Sequence, residues 1–164
     1  MTILDQARAE QEYLTAIRRH LHQNPEIGFE EVDTTALIRR ELAAIQAEIT
    51  PLSIATGVCA MIKGTKPGQG KVIALRADID ALPMVLLGVA RLLSKMRDQF
   101  SGTVKLVFQP AEERLTGATS MIEAGVLENP APQLIMGLHG GTETPLGKVG
   151  IWSGPFMASA DQFT

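Results

Sequence analysis

Three stretches of the chain decide the expected fold: KVIALRADID at residues 71–80, TVKLVFQPAEE at residues 103–113 and QLIMGLH at residues 133–139. Each contains a short apolar run, as is typical of a buried strand, and each run is followed by carboxylate or imidazole side chains. Residues 86–96 and 117–124, which lie between the strands, have helical spacing. Strands that alternate with helices predict an α/β fold with a mainly parallel sheet flanked by helices.

The N-terminal part of the chain is predicted to be helical. Apolar residues at steps of three and four indicate one helix that ends at residues 24–25, where a proline follows an asparagine. The same spacing predicts a second helix from about Glu31 through Ile49, with Asp33 or Thr34 as its N-terminal cap.

Two further predictions concern strands. Residues 58–63 and 71–77 are short runs rich in β-branched residues, and residues 64–70 between them contain three glycines and a proline. This pattern indicates a β-hairpin. Residues 148–152 are predicted to form one more strand.

The composition limits the classes of function. The chain has 164 residues, of which 45% are hydrophobic and 20% charged, and this predicts one folded domain. A net charge of −3 and only 4% aromatic residues argue against nucleic-acid binding. The longest apolar run, residues 81–90, is about half the ~20 residues of a membrane span, and Asp5 and Arg8 do not suit a signal peptide. The single cysteine, Cys59, excludes an internal disulfide. We therefore expect a cytoplasmic protein that binds neither nucleic acid nor membrane.

The ends of the strands indicate where chemistry takes place. Ligands of open α/β sheets bind beyond the carboxyl ends of the strands, and here Asp78, Glu112, Glu113 and His139 follow three successive strands. Carboxylate oxygen and imidazole nitrogen are donors that suit divalent metals. We predict that Glu112, Glu113 and His139 converge on one cation, with one glutamate on the metal and the other facing a metal-bound water.

Simpler interpretations of the same residues remain open at this point. Glu112 and Glu113 are also consistent with two solvated carboxylates at the start of a helix, where the macrodipole favours negative charge. His139 is equally consistent with a hydrogen-bonded structural histidine. Asp78 and Asp80 either support metal ligands or cap a helix, and the sequence does not decide between these roles.

Six segments occur in order along the chain: RRHLHQNPEIGFEE at 18–31, ALRADIDALPM at 74–84, FQPAEE at 108–113, MIEAGVL at 121–127, GLH at 137–139 and SGPFMASAD at 153–161. Together they resemble the motifs of one known family, the amidohydrolase branch of the M20 metallopeptidases. This branch includes hippurate hydrolases, N-acyl-amino-acid deacylases and auxin-conjugate hydrolases. The resemblance implies that residues 1–164 are the first part of an M20-type catalytic domain, without the dimerisation or lid domain. It also implies a hydrolase with up to two divalent metals (zinc, manganese or cobalt) that cleaves the amide bond of an N-acyl amino acid, with Glu112 as general base and Glu113 and His139 as metal ligands.

The chain departs from the family pattern in two places. In the family, a segment with a Cys-Gly-His-Asp motif separates the Leu-Pro-Met motif from the next helix, and its cysteine and histidine bind the metals. Here Met84 is followed directly by Val85. The chain also stops at Thr164, before the second domain and the last metal histidine of the family. Of five expected ligands, Glu113 and His139 remain, so weak or no metal binding and impaired activity are expected.

Three functional hypotheses follow, and the substrate-binding residues are not identified for any of them. The first is a metal-dependent amidohydrolase with a small-molecule N-acyl amino acid as substrate. The second is an inactive remnant that acts through self-association or by pairing with a full-length relative, because an uncovered sheet edge favours homo-oligomers. The third, a nucleotide-binding α/β domain, is disfavoured because residues 64–72 lack the spacing of a phosphate loop.

Overall fold

A computed structural model describes residues 2–80, 83–140, 144–145, 147–151 and 153–154. The helices are α1 (Ile3–Ala9), α2 (Gln11–Gln23), α3 (Val32–Ala44), α4 (Pro83–Lys95) and α5 (Gly117–Glu123). The strands are β1 (Glu48–Thr50), β2 (Val58–Lys63), β3 (Val72–Asp78), β4 (Thr103–Gln109) and β5 (Leu134–Gly137). Two 3₁₀ turns cover Arg97–Gln99 and Glu112–Arg114. Across these ranges no helix has both the length and the apolar character needed to cross a bilayer.

The five strands form one sheet in the order β1-β2-β4-β3-β5. β3 is parallel to both β4 and β5, whereas β1–β2 and β2–β4 are antiparallel. The predicted α/β class with flanking helices is therefore confirmed, and the sheet is mixed rather than mainly parallel. The parallel half contains the predicted βαβ unit, in which α4 connects β3 to its neighbour β4.

The predicted hairpin between β2 and β3 is wrong, because β4 lies between these two strands. Residues 64–70 do form the connection, but they pack against the start of β4. Gly64 N–H donates to Gly102 O at 2.9 Å, and a Cβ on Gly70 would lie 2.0 Å from Gly102 N. The turn residues indicate that the chain bends, whereas the buried residues of β4 decide which strand occupies the centre of the sheet.

The predicted opening helix is divided into α1 and α2 at Glu10. Glu10 is 5% exposed, and its backbone N–H donates to Ala7 O at 3.1 Å, which tightens the last turn of α1. Its carboxylate accepts from Arg91 Nε at 2.6 Å and pairs with Lys95 Nζ. These two partners lie on α4, so the bend between α1 and α2 directs a carboxylate toward a third helix.

The second helix is shorter than predicted at its C-terminus. α3 ends at Ala44, because Gln46 adopts a left-handed conformation with φ of +56° and Ala47 N–H donates to Leu42 O at 3.0 Å. Ile49, which continues the helical spacing in the sequence, lies in β1 instead.

The predicted N-terminal cap of this helix is also wrong. Neither Asp33 nor Thr34 caps α3. The carboxylate of Glu26 accepts the backbone N–H of Asp33 at 2.9 Å and of Thr34 at 2.7 Å. A side chain from the preceding loop therefore satisfies the free donors of the first turn.

The apolar core lies on both faces of the sheet. The larger cluster packs β2, β3 and β4 against α2, α3 and α4, and the smaller one packs the opposite face against α5 and the residues after it. Alternate residues of β2 point to opposite faces, so Ala60 and Ile62 lie in the larger cluster and Cys59 lies buried in the smaller one.

The predictions for the C-terminal residues are tested only in part. Residues 148–151 do not form a strand, contrary to the prediction for 148–152, while Trp152 lies outside the described residues. Of the family-like segment 153–161, Ser153 and Gly154 are described and the rest lies outside the described ranges.

Candidate active site at the carboxyl edge of the sheet

The parallel strands bring three chain segments to one edge of the sheet. β3, β4 and β5 run in the same direction, and Asp78 at the end of β3 is in register with Gln109 at the end of β4. Arg76 of β3 is in register with Gly137 of β5, two residues before His139. The residues that follow β4 and β5 therefore meet beside Asp78.

His139 lies between two carboxylates at this edge. Its Nε2 is 3.6 Å from Oε1 of Glu112 and 3.8 Å from Oδ2 of Asp78. Its Nδ1 lies 2.7 Å from Gly140 O, and because a carbonyl oxygen only accepts, Nδ1 carries a hydrogen. In the neutral imidazole, Nε2 is then the free acceptor nitrogen, and it faces the two carboxylates.

Asp78 is held in place by Arg76. The Asp78 side chain is 3% exposed, and its Oδ2 accepts from Arg76 Nη1 at 3.0 Å, while Arg76 Nη2 pairs with its Oδ1. Arg76 Nε also donates to Gln109 Oε1 at 3.0 Å. Burial raises the pKa of Asp78 above its ordinary value, the Arg76 guanidinium opposes this rise, and the charge of Glu112 adds to it. The guanidinium thus fixes a buried carboxylate that faces His139.

Glu112 and Glu113 follow β4 in a 3₁₀ turn that extends to Arg114. Ala111 before the turn and Leu115 after it are left-handed, with φ of +49° and +59°. The Glu112 side chain is 26% exposed and reaches His139. Glu113 is exposed, and its carboxylate forms no ion pair or hydrogen bond with any residue of the described ranges.

The structure thus brings together Glu112 and His139 of the predicted set, and it adds Asp78. It does not bring Glu113 into contact with His139. The sequence analysis did not select Arg76. The sequence does contain a signal for it, because Arg76 lies two residues before Asp78 and residues two apart on a strand lie on the same face of the sheet. Glu31, whose carboxylate contacts the turn before Glu112, was also missed.

The donor atoms at this edge suit a divalent metal in kind but fall short in number. An imidazole nitrogen and a carboxylate oxygen that share a tetrahedral zinc lie about 3.4 Å apart for bonds of about 2.1 Å. The 3.6 Å separation of His139 Nε2 and Glu112 Oε1 is close to this value. However, Asp78 is already paired with Arg76, and the described part of the chain has no cluster of three His, Cys, Asp or Glu side chains arranged to hold a metal ion.

Comparison with known proteins identifies a family and relatives to which this chain is similar. Residues 74–155, half of the chain, match the peptidase family M20/M25/M40. An N-acetylcysteine deacetylase of Bacillus subtilis (strain 168) is 41% identical over 92% of this chain and 46% of its own length. The IAA-amino acid hydrolase ILR1-like 2 of Arabidopsis thaliana is 39% identical over 93% of this chain and 39% of its own length.

A solved structure shows the same architecture. The YXEP protein of Bacillus subtilis, described as a dinuclear metal binding peptidase from the M20 family, superposes with a TM-score of 0.81 at 39% identity, over 90% of this chain and 48% of that chain. The chain therefore spans less than half the length of these relatives. The alignment with the deacetylase has 177 positions, whereas 92% of 164 residues is about 151, so about 26 positions of that alignment have no residue in this chain. On the family match and this shared fold, the chain belongs to peptidase family M20/M25/M40.

Proposed function

We propose that the chain is the first part of the catalytic domain of a metal-dependent amidohydrolase that releases an amino acid from an N-acyl amino acid. The observation that carries this proposal is the convergence of Glu112 and His139 beside Asp78 at the carboxyl edge of three parallel strands. Relatives named as an N-acetylcysteine deacetylase and an IAA-amino acid hydrolase support a substrate in which an acyl group is joined to an amino acid.

The roles of the residues are those that the family resemblance implies, and the positions of Glu112 and His139 are consistent with them. Glu112 is the general base, because its partly exposed carboxylate can take a proton from water that attacks the amide carbonyl. His139, through its free Nε2, and Glu113 are the residues that would hold the cation. Glu113 would have to turn toward His139 to do so, because its exposed carboxylate does not contact that side chain. A divalent metal such as zinc, manganese or cobalt supplies, when bound, polarisation of the carbonyl and a more acidic water. Gly140 O accepts from Nδ1 of His139 at 2.7 Å and so orients the imidazole, while Asp78, fixed by Arg76, adds negative charge that favours a cation beside Nε2.

We further propose that this chain alone is a poor catalyst. A hydrolytic zinc usually has three protein ligands and a water, and two proposed ligands are fewer than this. The donors that the family-like Cys-Gly-His-Asp segment would add are missing between Met84 and Val85. Metal binding should therefore be weak and turnover slow.

The experiment uses the full chain with Mn²⁺, Co²⁺ or Zn²⁺ and hippurate as an N-acyl amino acid. We expect slow release of glycine that falls to the background level in Glu112→Gln, because this change keeps the shape of the side chain and removes the base. Glu123→Gln on α5 is the matched control, since Glu123 is an exposed glutamate on another element. Absence of both glycine release and bound metal in equilibrium dialysis would overturn the proposal.

A second candidate function, self-association without catalysis, is favoured by β5. Leu134, Ile135 and Met136 are 51%, 48% and 48% exposed, so side chains on both faces of this strand are accessible. β5 carries no charge, and within the described residues its outer edge is not paired with another strand. Two copies could therefore pair their β5 edges without repulsion between like charges.

A further inference from the structure

Glu31, at the end of the N-terminal motif, lies against the turn that presents Glu112. It is 1% exposed, and its Oε1 accepts the backbone N–H of Ala111 at 2.8 Å, across 80 residues of sequence. Pro110 has no N–H, so Ala111 carries the first main-chain donor after β4. The hydrogen bond that Glu31 accepts therefore restrains the residue directly before Glu112.

The conformation of Ala111 requires such a restraint. Its φ of +49° is in the left-handed region, which is unfavourable for a residue with a Cβ. This conformation turns the chain out of β4 and into the 3₁₀ turn Glu112–Arg114. If Ala111 relaxed to an ordinary conformation, the direction of the Glu112 side chain would change, and with it the approach to His139.

The same N-terminal segment packs directly against this turn. A Cβ on Gly28 would lie 3.1 Å from both Cα and Cβ of Ala111. A Cβ on Gly117 would lie 1.7 Å from Pro110 O, so the turn is confined on a second side as well. The turn therefore has close neighbours on both sides, and the Glu31 carboxylate is the acceptor for its Ala111 N–H.

Stability alone does not explain the presence of Glu31. Its second oxygen, Oε2, is buried and has no hydrogen-bond partner among the described residues. A buried carboxylate oxygen without a partner is unfavourable for folding. Glu31 also stands at the N-cap position of α3, but its side chain does not cap that helix.

We propose that Glu31 is a positioning residue that holds Ala111 in its left-handed conformation and thereby aims Glu112 at His139. The catalytic consequence of this role rests on the proposed function, in which Glu112 is the general base. The local consequence, the restraint of Ala111, does not depend on that function.

Amide hydrogen exchange measured by NMR on the full chain tests the local consequence. In Glu31→Ala, the Ala111 amide should exchange about tenfold faster or more, because a hydrogen bond to a carboxylate is lost, while the Leu106 amide inside β4 keeps its wild-type rate. Glu31→Gln retains an oxygen acceptor and should keep most of the protection at Ala111. The exposed neighbour provides the control Glu30→Ala, which should change neither amide.

The outcomes separate this inference from the proposed function. Unchanged exchange of Ala111 in Glu31→Ala, or equal acceleration at Ala111 and Leu106, would overturn the positioning role whatever the activity. If Glu31→Ala does not fold, Glu31→Asp replaces it, because the shorter carboxylate should lose the protection that Glu31→Gln keeps. Absence of hippurate hydrolysis by the wild-type chain would overturn the proposed function and leave the exchange result intact. Where hydrolysis is measurable, Glu31→Ala should lower kcat and Glu31→Gln should restore it.

Discussion

Glu10 joins three helices through a single carboxylate, and this makes a pH-dependent contribution to stability. The contact with Lys95 lowers the pKa of Glu10 below its ordinary value of 4.5; burial opposes this shift, and Arg91 supports it. A carboxyl group whose pKa is lowered in the folded state stabilises the fold above its unfolded pKa. This contribution is lost as the pH falls through the folded pKa.

The prediction concerns Glu10→Gln in urea denaturation at several pH values. At pH 7 the variant should lose about 1–2 kcal/mol of the free energy of unfolding, since a nearly buried ionic contact is removed. The difference from wild type should shrink as the pH falls below 4.5 and be lost as the pH passes through the lowered pKa of Glu10 in the folded state. Glu12→Gln, which changes an exposed glutamate in the first turn of α2, is the control and should show no such difference. A stability loss of equal size at all pH values would contradict this account.

At the residue scale, local pattern predicts only part of the site. Glu112 and His139 could be selected because each follows an apolar strand, and parallel strands end at one edge. Asp78 could be selected for the same reason, but its partner His139 is 61 residues away and its role depends on burial. Glu31 could not be selected, because its hydrogen bond to Ala111 depends on how the N-terminal helices pack on the sheet.

At the element scale, the apolar pattern predicts the positions of strands but not their neighbours. The strands predicted at residues 58–63 and in the apolar runs of residues 103–113 and 133–139 correspond closely to β2, β4 and β5. The hairpin prediction for β2 and β3 was wrong because a turn sequence contains no information about which strand lies at the centre of the sheet. That position belongs to β4, whose last five residues are buried. The order of strands is therefore decided by burial across the whole sheet.

The prediction for β5 is that its open edge causes association of the chain. We expect sedimentation equilibrium to show a dimer and Ile135→Lys to shift it toward monomer, because two lysines would face each other across a paired β5 edge. Ile122→Lys on α5 is the matched control, since Ile122 is exposed to a similar extent, 53% against 48% for Ile135. A wild-type chain that is monomeric at all measured concentrations, or two variants with equal effects, would contradict this prediction.

At the scale of the whole molecule, the chain shares the fold of a relative, but its described residues provide an incomplete set of metal donors. The chain superposes on a solved M20 structure with a TM-score of 0.81, although about 26 aligned positions of a relative have no residue here. The sheet and its helices therefore form without those positions. Within the described residues the donors at the carboxyl edge are incomplete, because the neighbours of His139 Nε2 are Glu112, which is the proposed base, and Asp78, which is paired with Arg76.

Because the fold forms without the missing ligands, we expect that a chimera in which they are supplied binds metal more tightly. A segment with the family's Cys-Gly-His-Asp motif, given the length of the about 26 positions that the deacetylase alignment lacks in this chain, would be inserted between Met84 and Val85. Met84 and Val85 line a cavity of about 610 Å³ against α1 and α2, so the junction has space beside it. Because two further donors would join His139, Co²⁺ should bind at least about a hundredfold more tightly and show thiolate absorption. The control is the same insert with its cysteine changed to serine and its histidine to alanine. A folded chimera that binds Co²⁺ no more tightly than this control would show that the carboxyl edge beside His139 is not where the family's metal site is built.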